Sequence, residues 1–182
     1  SFSRYVEATS ISDSWIHWLI DASLDPKKKQ KWFSNKLNDW LNNLRKDKRI
    51  FKKQWHWLAR LTSDLPDSKR LVRKYPVFYE TALPAEASAD DLIGNFRCKG
   101  LKKMNSRLSL NVAMEVWKEL LHLIVPDPAN AYKSDYSDHA DWCKAVYELN
   151  QNSYAALLSQ WRNKHNRRRN LWRDMRAIGL SV

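Results

Sequence analysis

Apolar residues recur along this chain at intervals of three and four, the spacing that gives a helix one face to bury. The clearest stripe is Phe33, Leu37, Trp40, Leu41 and Leu44, with Lys27, Lys28, Lys31, Arg45 and Lys46 on the opposite side of the same wheel. Asp25-Pro26 predicts where that helix starts, because Asp can accept from the free N–H groups of a first turn and Pro suits the first helical position. A second helix is predicted over about residues 48–62, with Phe51, Trp55 and Leu58 on one line and Ile50, Trp57 and Leu61 on the next. Leu65-Pro66-Asp67 breaks that pattern and restarts a short helix carrying Leu71 and Val72. The Val-Phe-Tyr run within Tyr75 to Leu83 reads equally as strand, short helix or loop.

Ser88 followed by Asp91 predicts the start of a helix holding Leu92, Ile93 and Phe96, with Gly100 as its stop. Val112, Val116, Trp117, Leu120, Leu121 and Ile124 predict a strongly amphipathic helix ended by Pro126 and Pro128. Three further helices are predicted in the last third. Their apolar lines are His139, Trp142, Cys143, Val146 and Tyr147, then Tyr154, Leu157, Leu158 and Trp161, then Leu171, Trp172, Met175 and Ile178, with Gly179 closing the last. The expected fold is all-α, an irregular bundle or a stacked, solenoid-like arrangement of about six to nine helices. One domain over 1–182 is expected, with a division into 1–84 and 85–182 as the alternative; no fixed repeat period supports a regular repeat protein.

Composition narrows the function classes. At 182 residues and 43% apolar content the chain is long enough to fold around a core. Its three glycines, Gly94, Gly100 and Gly179, are scattered, which argues against phosphate loops and dinucleotide turns built from clustered glycines. Cys98 and Cys143 lack metal-clip spacing and read as two reduced thiols, consistent with a cytoplasmic protein. No apolar run approaches the roughly 20 residues that span a bilayer, and the polar, mixed first residues do not resemble a signal peptide. The start at Ser1 rather than Met fits a piece of a longer protein.

Lys and Arg exceed Asp and Glu by 32 to 20, a net charge of +12. The excess is segmental: 26–75, 97–107 and 151–182 are basic, while 1–25, 76–96 and 108–150 are acidic. The most suggestive block is Arg162, Lys164, Arg167, Arg168, Arg169, Arg173 and Arg176. Arg169, Arg173 and Arg176 recur at helical spacing opposite Leu171, Met175 and Ile178, and such a stripe can meet successive phosphates. An ordinary solvated face of a terminal helix fits the same periodicity. The second block includes Lys28, Lys31, Arg45, Lys46, Arg49 and Lys53, interleaved with Trp32, Trp40, Trp55 and Trp57. Aromatic faces beside cations serve single-strand binders, although large aromatics more often serve burial.

His17 lies between Trp15 and Trp18, and His56 between Trp55 and Trp57, but no carboxylate sits at a spacing that would orient either for catalysis. His139 and Cys143 share one helix face without two further ligands at a recognised spacing, so core packing is the expectation over zinc. No nucleophile–base pattern, cofactor motif or metal site is expected.

The succession Tyr136, His139-Ala140, Trp142-Cys143 and Tyr147, then Tyr154 with Leu157-Leu158, then Trp161, His165 and Arg167-Arg168-Arg169-Asn170-Leu171-Trp172, resembles the C-terminal helical region of bacterial SWIM zinc-finger proteins. The resemblance covers the last third of the chain and implies DNA or protein interaction. The family's paired cysteines and Cys-x-His element are missing, so no zinc site is implied here. The resulting expectation is a non-catalytic helical module binding DNA or RNA through the two basic blocks, the alternative being a scaffold that receives an acidic protein partner.

Overall fold

A computed structural model describes residues 15–63, 97, 99–105 and 107–182. Among the described residues the fold is all-α, without a strand. Its helices are α1 (Trp15–Leu24), α2 (Pro26–Lys46), α3 (Lys48–Ser63), α4 (Arg107–Leu120), α5 (Ser137–Leu149), α6 (Gln151–His165) and α7 (Arg169–Ala177). Residues 99–103 are also helical. The elements expected within 64–96, namely the short helix carrying Leu71 and Val72, the segment Tyr75 to Leu83 and the helix holding Leu92, Ile93 and Phe96, and Cys98 itself, lie outside the described residues.

The stripe on α2 packs as its spacing requires. Phe33, Leu37, Trp40, Leu41 and Leu44 are all buried, whereas Lys27, Lys28, Lys31, Arg45 and Lys46 are exposed. Helix α2 packs on α1, α3 and α4, and α3 also packs on α4. Two indoles bridge these elements by their N–H groups: Trp15 donates to the Trp57 carbonyl at 2.9 Å, and Trp40 to Gln54 Oε1 at 2.7 Å. These partners matter because leaving a buried indole N–H unsatisfied costs more than the net value of a made hydrogen bond. Arg45 completes the set with a bidentate pair to Glu119 on α4, at 2.8 and 3.0 Å.

Three local expectations are corrected. Helix α2 starts at Pro26 with Asp25 as its cap residue, as expected, but the Asp25 side chain makes no cap hydrogen bond; its carboxylate pairs with Lys28 at 3.4 Å. Gly100 does not stop a helix but lies buried within one. A Cβ there would approach Leu19 Cδ1 at 3.2 Å, so the missing side chain permits close contact with α1. Finally, the amphipathic run after 107 ends as an α-helix at Leu120 and continues as a 3-10 turn over Leu121–Ile124.

That 3-10 turn contacts α3, α4 and α6, and so joins the two ends of the described fold. Beside this junction Trp55 stacks on Trp117, with centroids 6.5 Å apart, and meets Trp142 of α5 edge-on at 6.0 Å. Helices α6 and α7 both pack on α5. Asn150 caps α6 by accepting the Ser153 N–H at 3.1 Å, and its amide donates to the Lys118 carbonyl at 3.5 Å. The last helix closes as expected at Gly179, whose φ of +80° favours glycine. Gly179 N–H donates to the Arg176 carbonyl at 2.9 Å and Leu180 N–H to the Met175 carbonyl at 3.1 Å.

Candidate nucleic-acid interface

The C-terminal basic block is carried on α6, α7 and the tight turn between them. Leu157 and Trp161 of α6 and Leu171 and Met175 of α7 are buried, which fixes the two helices against the core and aims their remaining faces outward. Arg162, Lys164, Arg167, Arg169, Arg173 and Arg176 are all exposed. Arg173 shares its charge with Asp174 at 2.9 Å. Arg162, Lys164, Arg167, Arg169 and Arg176 form no ion pair with any described residue.

Arg168 has a different position. Its Nε donates to His165 Nδ1 at 3.2 Å and its Nη1 to the Tyr136 hydroxyl at 3.0 Å. His165 is 8% exposed, and its Nε2 faces Asp127 Oδ1 at 3.3 Å. With Nδ1 accepting and Nε2 directed at a carboxylate, His165 is arranged as the neutral Nε2–H tautomer. Burial lowers its pKa; Asp127 opposes that shift and the Arg168 and Lys164 cations add to it. Trp172 Nε1 donates to the carbonyls of His165 and Asn166, at 3.2 and 3.3 Å. The turn is thus tied from beneath by one arginine, one histidine and one indole, while its neighbouring arginines remain outside.

Between the helices lies a groove of about 350 Å³ lined by Arg162, Asn166, Trp172, Arg176 and Val182. Asn166 directly follows α6 with helical backbone angles, four residues after Arg162, and Trp172 and Arg176 are four apart on α7, so each pair shares a face. The third wall is the tail after Gly179, held by the Tyr154 hydroxyl donating to the Ser181 carbonyl at 2.8 Å. Burial lifts the Tyr154 hydroxyl to about 12, so it remains a donor at neutral pH. Neither Asn166 nor Trp172 was legible as a groove residue. Trp172 falls on the apolar line of α7, and only the facing helix reveals that it is half-buried at a rim.

The earlier basic block belongs to another packing group, α1 to α4. Lys28, Lys31, Lys46, Arg49 and Lys53 are exposed. Arg45 is tied to Glu119, Lys28 to Asp25, and Arg49 to Asp47 at 3.4 Å. Of the interleaved tryptophans, Trp40 is buried, Trp55 and Trp57 are half-buried, and Trp32 is exposed with Lys29 above its ring at 5.9 Å.

His17 is exposed, whereas burial and the Arg60 charge lower the pKa of the half-buried His56. His139 is buried, and its Nδ1 has no hydrogen-bond partner among the described residues. Cys143 is a free, buried thiol held above the usual thiol range by desolvation. Among the described residues no group of three or more His, Cys, Asp or Glu is placed to hold a metal ion, and no helix is long and apolar enough to cross a membrane. Comparison with protein-family models, curated proteins and solved structures finds no match to this chain.

Proposed function

We propose that this protein is a non-catalytic helical module that binds nucleic acid through the exposed cations of α6, α7 and their connecting turn. The observation that carries the reading is the concentration of Arg162, Lys164, Arg167, Arg169 and Arg176 on one short, tied elbow, without neutralising carboxylates among the described residues. Like charges so close repel one another, and a polyanion relieves that repulsion while releasing its own counterions. Guanidinium groups suit the task because they pair bidentately with phosphate and shed water more readily than ammonium groups. The α2–α3 block takes a secondary, solvated part in this reading, since several of its members already have carboxylate partners.

Titration of the protein with single-stranded and duplex nucleic acid at low and physiological salt tests the proposal. The expected result is binding at low salt with little sequence dependence, weakening steeply as salt rises. Undetectable affinity for both nucleic acids at low salt would overturn it.

A further inference from the structure

The α6–α7 groove offers more than charge. Trp172 and Asn166 meet where the helices join, through the 3.3 Å bond from the indole N–H to the Asn166 carbonyl. One helical turn away from that end, about 5.4 Å along each axis, stand Arg162 on α6 and Arg176 on α7. The groove is therefore aromatic toward the turn and cationic away from it, with Val182 also lining it. The indole N–H is already engaged by two backbone carbonyls, so Trp172 offers the groove carbon surface rather than a donor. Its half-burial holds the ring in place, and a base stacking on it meets a surface that does not need ordering first.

We infer that this groove is a subsite for one unpaired nucleotide of a single strand. The base stacks on Trp172 beside the Asn166 side chain, and its phosphate is held between Arg162 and Arg176. The inference rests on the nucleic-acid reading above and adds to it a preference for single strands. A base within a duplex is stacked on both faces and cannot enter a groove between two helices without leaving its partner. Stacking is tolerant of base identity because every base has a π-face, so the site discriminates strandedness more than sequence. A volume of about 350 Å³ admits one nucleotide and not a stretch of strand, so the remaining exposed arginines meet neighbouring phosphates.

The test is a fluorescence-anisotropy titration of the full chain with labelled oligodeoxythymidylate, oligouridylate, the matching duplexes and an abasic strand of the same length. Trp172→Leu, Trp172→Phe and an Arg162→Gln, Arg176→Gln double variant are titrated alongside. The expected result is preference for one or both single strands over duplex and abasic strand by roughly tenfold or more, the size of one base–aromatic stack. Trp172→Leu loses the preference, Trp172→Phe keeps most of it, and the double arginine variant weakens all strands. Equal binding of intact and abasic strands by the unaltered protein overturns the subsite, whatever the variants do, and leaves the electrostatic reading standing. Failure of the unaltered protein to bind any strand at low salt overturns both.

Discussion

Arg168 donates to Tyr136 and His165, whereas Arg167 beside it is exposed, so truncating each separates folding from binding. Arg168→Ala leaves the Tyr136 hydroxyl and His165 Nδ1 without their donor and should cost about 1–3 kcal/mol in chemical denaturation. Arg167→Ala should change stability by less than about 0.5 kcal/mol while weakening strand binding; the opposite pattern would exchange the two roles. No sequence pattern distinguishes these neighbours, because Tyr136 reaches Arg168 only through the fold. The histidines supply a second prediction at this scale. His56, His122, His139 and His165 all have lowered pKa values, burial being the first cause in each. Each is therefore protonated more readily in the unfolded chain. Their contribution to stability is intact above the unfolded pKa of about 6.5 and is lost as pH falls below it. The melting temperature should drop between roughly pH 7 and pH 5, less steeply in His139→Phe; a flat profile in the unaltered protein would contradict this.

At the scale of elements, the stripes were legible because burial imposes a helical period that survives in any packing arrangement. Phe33 to Leu44 on α2 and Leu171 with Met175 on α7 show this directly. The stop at Gly179 was legible for a similar reason: the left-handed residue after a helix favours glycine whatever surrounds it. A Cβ on Gly179 meets only Lys144 Nζ at 3.9 Å, so Gly179→Ala tests conformation alone and should cost about 1–2 kcal/mol. Gly100 reads as a stop in the sequence because its real reason is tertiary, namely the approach of Leu19. Gly100→Val should destabilise by about 1–3 kcal/mol through overpacking, in part recovered when Leu19 is shortened to Ala. Absence of any coupling in that double-mutant cycle would show that the two residues do not contend for the same space.

For the molecule as a whole, Trp55 of α3 stacks on Trp117 of α4 and links the α1–α4 group to α5 through its edge-on contact with Trp142. Trp55→Ala should cost about 3 kcal/mol and shift circular dichroism and tryptophan fluorescence together, as one cooperative transition; separate transitions would make the two parts independent. The basic balance of the chain was legible from composition, and so was its division into blocks. Which cations remain unpaired was not, because Arg45 finds Glu119 across the fold and Arg168 finds Tyr136. The groove was equally hidden, since Asn166 and Trp172 come to line one groove only through the turn that ties the Trp172 indole to the end of α6. Binding in this picture belongs to α6–α7 rather than to positive charge in general. The most direct test is the salt dependence of single-strand binding for two block variants, Arg162, Arg167 and Arg169→Gln against Lys28, Lys31 and Lys53→Gln. The first should lower the slope of log affinity against log salt by about two, near 0.7 for each phosphate left without its cation, and the second should leave it nearly unchanged. Equal reductions from both variants would contradict the assignment to α6–α7 and make net charge alone responsible.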